Sequence, residues 1–444
     1  MKTITSLFFG LSLIVTSLTP NPALAANQAT LQTIAQHGPM DMAKRLRITD
    51  DNGSYIAGHR PADAALGQRT DLDAYVMRQD ANGRTLWQFN YGGEHDEILS
   101  DLVLTADGGA LLVGGSRSAS GAFAANHGHF DYWICKIDAQ GAVQWTSILG
   151  SSAADVAHAA AVAADGGYWI VGAAYAGDGD VAQHYGNADC WLVKLSAEGQ
   201  LLQQKTLGGA LEETPKTLHA LEDGSLLMTA TTLSQNGDIT ANSGSYDAWT
   251  VKMDAEGDIL WQVCSGGTGV DRLQAAHPTA DGGIILAIHS MALNGHYDSS
   301  PCHMDIWMVK LDASGEVQWE STVGGSGDEE AVAILPTADG GYLLAGHTNS
   351  RDGHSSALHG TQDGWLVKLG ANGIRQWDTC LAQSAINYAR DLQLDNQGGI
   401  RLLGTGMDAK KGIQTWVATW TNIAEPLMGD NKSLSTDATF ITHG

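Results

Sequence analysis

Six aromatic residues, Tyr75, Trp133, Trp191, Trp249, Trp307 and Trp365, follow one another at a constant step of 58 positions. A chain that keeps such a step without an insertion repeats one supersecondary unit in space, and each unit must bury its faces against its neighbours. The step is longer than the roughly 33–47 residues of helical solenoid units, and no helical period accompanies it.

The unit can be cut at its turn signals. Residues 329–336 form a first apolar strand, Ala338-Asp339-Gly340-Gly341 a tight turn, and residues 342–347 a second strand. A long polar loop then leads to Gln362, Asp363 to Leu369 form a third strand, Gly370 to Gly373 a turn, and Ile374 to Leu381 a fourth strand. Four short strands in a meander make one propeller blade. The Asp-Gly-Gly turn recurs at Asp107, Asp165, Asp281 and Asp339, with variants at Asp51-Asn52-Gly53, Asp223-Gly224-Ser225 and Gln397-Gly398-Gly399, so the blades number seven. Such turns need positive φ, which makes these aspartates and glycines turn formers.

The expected fold is all-β, a single seven-bladed β-propeller of four-stranded blades. Blade seven has strands near residues 387–394, 400–405 and 414–420 but no fourth strand after Thr421, whereas Ala29 to Gln36 precedes blade one as an unassigned strand. An N-terminal strand that completes the last blade would close the ring and remove exposed edges. The third and fourth strands take eleven of the thirteen tryptophans as inter-blade packing, leaving Trp169 and Trp420. A lectin built on exposed stacked tryptophans is therefore poorly supported.

Residues 1–25 read as a signal peptide, with Lys2, an apolar run from Leu7 to Leu18, Pro20 and Pro22, and Ala23-Leu24-Ala25 before a cut at Ala26. That run is too short to span the roughly 30 Å of a bilayer core. Residues 26–428 are then the propeller and 429–444 a polar tail, in a periplasmic or secreted monomer. Acidic residues outnumber basic ones 49 to 24, for a formal charge of −25, which disfavours nucleic acid and attracts cations or basic protein surfaces. Of five cysteines, Cys135, Cys190, Cys264 and Cys380 read as small buried residues, and Cys302, in a loop, is the one to test for pairing.

Strand order places the short turns on one face and the long loops on the other, so a binding site is expected on the loop-rich face. Asp41, Glu97, Asp155, Glu213, Asp271, Glu329 and Asn387 stand at the start of the first strands. If those strands line the central channel, six carboxylates ring its mouth and invite a metal ion or a cationic ligand. The alternative is that they accept N–H groups of the glycine-rich loops, with the periodic Lys136, Lys194, Lys252, Lys310, Lys368 and Arg78 neutralising them. His95 and Arg272, each beside a ring carboxylate, break the sevenfold pattern and are further ligand candidates. Asp178, Asp180 and Asp238 cluster side-chain oxygens at loop turns and suggest Ca2+, without a complete calcium-loop spacing. His127, His129, His184, His303 and His359 come from the same loops and are candidates for a transition metal.

The composite pattern Asp-x-Trp-x-x-Lys-Leu-Asp-x-x-Gly-x-x-x-Trp, explicit at Asp305 to Trp319, followed by Gly324-Gly325 and Asp339-Gly340-Gly341-Tyr342, resembles the tandem repeats of exported bacterial β-propellers. The portion Lys310 to Gly315 before Trp319 is also similar to pyrroloquinoline-quinone-type repeats. Those dehydrogenases typically have eight blades and an adjacent-cysteine disulfide, neither of which this chain has. The resemblance implies the fold and carries no agreed activity.

Three functions follow as expectations. The first is a non-catalytic scaffold that binds a protein or small-molecule ligand on its loop-rich face. The second is a hydrolase or lyase with its site at the channel mouth, and the third a calcium-dependent binding module. No nucleophile elbow or zinc-binding helix motif favours the second.

Overall fold

In the computed structural model the chain forms seven four-stranded antiparallel sheets arranged as the blades of a propeller. The structure describes residues 30–36, 42–61, 71–291, 304–355, 358, 360–381, 386–408 and 412–420. The expected signal peptide and polar tail, together with Asp41, Cys302, His303 and His359, lie outside the described residues. Among those described, no helix is long and apolar enough to cross a membrane.

Blade one comprises Met42–Ile48, Ser54–Pro61, Leu72–Gln79 and Thr85–Tyr91, and blades two to six repeat that order. Blade seven has Ile386–Leu394, Ile400–Asp408 and Gly412–Trp420, and its fourth strand is Thr30–Gln36, antiparallel to Gly412–Trp420 with Leu31 opposite Ala418. One sheet thus joins the two ends of the chain and closes the ring.

The repeat spacing has a direct physical basis. Trp133, Trp191, Trp249, Trp365 and Trp416 of the third strands are buried between blades, and the indole N–H of Trp191 and Trp249 is satisfied by Gln204 and Gln262. The fourth-strand tryptophans reach the next blade instead. Indole Nε1 donates from Trp87 to the Ala139 carbonyl at 3.1 Å, from Trp145 to Ala197 at 3.0 Å and from Trp261 to Ala313 at 3.0 Å. The receiving turn needs its glycine. Gly199 has φ of +81°, and a Cβ there would lie 2.6 Å from the Trp145 ring.

The periodic basic residues pair with the turn aspartates rather than with the carboxylates at the starts of the first strands. Lys136 lies 2.8 Å from Asp107, Lys194 2.7 Å from Asp165, Lys310 2.9 Å from Asp281, Lys368 2.9 Å from Asp339, and Arg78 2.8 Å from Asp51. The expectation that they neutralise the carboxylate ring is corrected on geometry: a side chain near the end of the third strand is adjacent to the short-turn face, at the other end of the blade.

The first strands, Met42–Ile48, Glu97–Leu104, Val156–Val162, Glu213–Ala220, Asp271–Pro278, Glu329–Pro336 and Ile386–Leu394, line the axial channel. Every one of them shifts register at the same place, between Ala43 and Arg45, Leu99 and Asp101, Ala157 and Ala159, Pro215 and Thr217, Leu273 and Ala275, Ala331 and Ala333, and Ala389 and Asp391. A bulge leaves one residue unpaired and re-aims its side chain. In five blades the second strand meets the bulge with a glycine. At Gly114 an added Cβ would fall 1.8 Å from the Ile98 carbonyl oxygen.

Candidate functional site in the central channel

The carboxylates at the starts of the first strands are buried within their own blades. Glu97, Asp155 and Glu213 are fully buried, Asp271 is 3 % and Glu329 1 % exposed. Each accepts from a loop N–H four residues earlier: Gly93 to Glu97 at 2.6 Å, Gly209 to Glu213 at 2.8 Å, Gly267 to Asp271 at 2.7 Å and Gly325 to Glu329 at 2.9 Å. A hydroxyl at the end of the second strand fills the other oxygen, as Ser116 does for Glu97 at 2.7 Å and Thr232 for Glu213 at 2.8 Å. The expectation of carboxylates open at the channel mouth is therefore corrected: the glycine-rich loop supplies the donors that a cation would replace. Of the two departures beside this ring, His95 is exposed and its backbone N–H donates to Ser118 Oγ. Arg272 lies over the Tyr246 ring at 4.5 Å.

The aspartates suggested for calcium latch one blade to the next. Asp178 accepts from the N–H and hydroxyl of Ser152, both at 2.7 Å, Asp180 from Gly150 N–H at 3.1 Å, and Asp238 from Gly208 N–H at 3.0 Å. Their oxygens are directed at separate donors of the neighbouring connections. The loop histidines do not converge either: His127 lies 3.3 Å from Asp131 of its own blade and 3.8 Å from Asp180 of the next, and His184 lies 3.6 Å from Asp189 of its own blade. Among the described residues no group of three or more His, Cys, Asp or Glu side chains has metal-binding geometry. Among the described residues Cys135, Cys190, Cys264 and Cys380 form no disulfide.

The channel itself holds the open charges. It encloses a cavity of about 1210 Å³ lined by the first strands and reaching Asp223, Thr279 and Gly282 on the short-turn face, so it is not confined to the loop-rich side. The bulge residues are Lys44, Ser100, His158, Lys216, Gln274, Val332 and Arg390, and the bulges gather Lys44, His158, Lys216 and Arg390 around one level of the axis. Just beyond them Arg45 bonds Asp101 at 3.1 Å, and Arg47 bridges Asp101 and Asp391, each at 2.8 Å. Those arginines and aspartates compensate one another. Among the described residues Lys44, Lys216 and Arg390 form no ion pair, and the carboxylate closest in kind, Glu330, is held by His347 at 3.1 Å.

The electrostatics bear the mark of crowding. Burial, then Arg45 and Arg390, lower the Lys44 ammonium to about 8. Burial and then Arg45 lower Lys216, with Glu330 opposing, and burial lowers Arg390. Lys216 is accessible to channel water although protein surrounds it. Lys44, Lys216 and Arg390 thus leave a local group of cations without ion pairs among the described residues, inside a chain of charge −25, suited to a carboxylate, sulfate or phosphate group. Reading the sequence for aperiodic loop residues missed this ring. The signal was the glycine inside the second strand at Gly58, Gly114, Gly172, Gly346 and Gly404, which marks a bulge in the strand beside it.

No family model matches the sequence, and no curated protein matches it. Among solved structures the chain is similar to the Pan2 WD40 domain of Neurospora crassa, at 10% identity and a TM-score of 0.52, covering 90% of this chain and 96% of that one. It is equally similar to an ulvan lyase of polysaccharide lyase family PL25, at 10% identity and a TM-score of 0.52, covering 88% and 93%. The same lyase bound to GlcA(1-4)Rha3S gives 9% identity and a TM-score of 0.51, covering 88% and 94%. At these identities the shared property is the propeller fold.

Proposed function

We propose that the protein is an exported scaffold that captures an anionic ligand in its central channel, on Lys44, Lys216 and Arg390 with Arg45 and His158 beside them. The observation that carries this reading is that Lys44 and Lys216 are enclosed with other cations and form no ion pair among the described residues. Enclosing like charges costs stability, and a chain otherwise rich in carboxylates could have neutralised them. A ligand that brings the missing negative charge offsets that cost. One fold neighbour is bound to a saccharide that carries a uronate and a sulfate, which makes acidic saccharides a sensible first probe. The reading itself rests on the channel residues.

The test is calorimetric titration of the mature protein with a sulfated uronate oligosaccharide, a polyuronate fragment, a dicarboxylate and inorganic phosphate, at low and high salt. At least one anion should bind, more weakly at high salt because the charges are screened. K44A/K216A should lose at least about tenfold in affinity, the equivalent of 1.4 kcal/mol, while its unliganded form melts at the same or a higher temperature. Unchanged affinity in that variant, or no binding by any probe, refutes the proposal.

A catalytic reading has one specific observation in its favour. Glu330 fixes His347, whose ring meets Tyr388 edge-on at 5.1 Å, and the Arg390 guanidinium lies 5.1 Å over the same tyrosine. A base, a phenol and a cation near one site could serve acid–base chemistry on an acidic substrate. Release of new chain ends from the polyuronate probe, lost in Y388F with binding intact, would promote this reading over the scaffold.

A further inference from the structure

The channel carries a pair of groups, His219 and His277, that anion binding does not use. His158, His219 and His277 lie on the first strands of three successive blades. Nδ1 of His158 is 2.7 Å from the Pro215 carbonyl oxygen, and Nδ1 of His277 is 2.7 Å from that of Pro278. A carbonyl oxygen only accepts, so each Nδ1 carries the proton and each Nε2 the lone pair. The backbone partner of His219 is Ala276, and its Nε2 is buried without a hydrogen-bond partner.

His219 and His277 stand at one repeat position of neighbouring blades, with ring centroids 5.5 Å apart and planes at 51°. Two imidazoles that each hold a tetrahedral ion through nitrogen at roughly 2.0–2.1 Å have their centroids about 5 Å apart. Histidines whose other nitrogen is tied to a carbonyl have the outer-shell support usual for metal ligands. Burial lowers both imidazoles, His219 to about 3 with His277 contributing after burial, so both are in the neutral form that ligates. Arg47, the guanidinium that acts on His219, is compensated by Asp101 and Asp391.

We propose that His219 and His277 bind one divalent first-row transition-metal ion of the Zn2+, Ni2+ or Cu2+ class through their Nε2 atoms, with water completing the coordination. Imidazole nitrogen suits these ions, whereas Ca2+ and Mg2+ take oxygen ligands. His158 sits at the bulge, three residues earlier in its strand and about 10 Å along the axis, and is not a ligand.

The test is titration of chelator-stripped protein with Zn2+ and with Ni2+, followed by calorimetry and by thermal shift. One site should be occupied at micromolar metal. H219Q and H277Q should each weaken it by at least the roughly 10–100-fold that even an outer-shell change costs, and H158Q should leave it unaltered. K44A/K216A should bind the ion as tightly as before or more tightly, which separates this site from the anion site. Because a buried variant can misfold, crystals of the unmutated protein soaked in Zn2+ supply an independent arm. Anomalous density between the two rings supports the site. Density only elsewhere, or unaltered titration of folded H219Q/H277Q, overturns it.

Discussion

At the scale of single residues the departures from the repeat are compensated within reach of the residue that departs. Gln203 stands where five other blades have a fourth-strand tryptophan. Its Nε2 donates to the Glu256 carbonyl at 2.6 Å, in the same next-blade turn and one residue beyond the position whose carbonyl Trp145 and Trp261 reach at Ala197 and Ala313. The missing ring comes from Trp169, two strands inward through Lys194 in the ladder, whose edge approaches Gly257 where the other blades set their own indole on the turn glycine. The two residues should therefore be coupled. W169L should cost about 3 kcal/mol as a large-to-small change at a buried site, and Q203W alone should destabilise by overcrowding. W169L/Q203W should recover most of the loss, since the indole then returns to its usual strand. A double-mutant cycle in urea measures this, and strict additivity would show that the two sites are independent.

At the scale of strands, the N-terminal segment is the element with most consequence for its length. Thr30–Gln36 is seven residues long, yet among the described strands it is the one that pairs the start of the chain with its end in a single sheet. Removing residues 27–36 should lower the melting temperature by many degrees and expose the Gly412–Trp420 edge to association, measured by calorimetry and light scattering; an unchanged melt would mean that the ring is held by its inter-blade packing alone. This element was legible in the sequence because a repeat that stops one strand short demands a partner from elsewhere. The blades were legible for a related reason: Asp-Gly-Gly turns and tryptophans recur at fixed spacing, and turn chemistry and packing are local. The channel chemistry was not. A bulge is a property of two strands, so the sequence shows a glycine in one strand and a Lys44 or Arg390 in the other without showing that the first re-aims the second. The same limit explains the periodic lysines, whose partners depend on which end of the third strand they occupy.

At the scale of the whole molecule, the same two carboxyl positions recur from joint to joint around the ring, and the pH response of the fold follows from them. Asp189 at the start of a third strand and Glu213 at the start of the next blade's first strand press on one glycine: a Cβ at Gly208 would lie 2.2 Å from the former's Oδ1 and 2.7 Å from the latter's Oε2. The same holds for Asp73 with Glu97 at Gly92 and Asp305 with Glu329 at Gly324. Burial, with Asp155 adding to it, raises Asp131, and burial followed by Asp271 raises Asp247 to about 6. An acid whose folded-state pKa lies above its unfolded value takes up a proton on folding, so its stabilisation is complete below the unfolded value and is lost as pH rises through about 6. The turn aspartates act in the opposite sense. Despite opposing burial, bonds from lysine, threonine and glycine hold Asp107, Asp281 and Asp339 at about 2, and their contribution is lost only as pH falls toward that value. The fold should therefore be most stable in mildly acid solution, near pH 4 to 5, and weaker at pH 7. Repulsion within a chain of charge −25 has the same direction, but salt screens it and does not screen buried pairs. The seventh joint supplies the control, because there Asn387, bonded through its N–H to the Gln362 carbonyl, takes the place of the first-strand carboxylate beside Asp363. D271N copies that joint into blade five, and it should flatten the fall in melting temperature between pH 5 and 7 at high salt; a slope equal to that of the parent protein would assign the effect to surface charge instead.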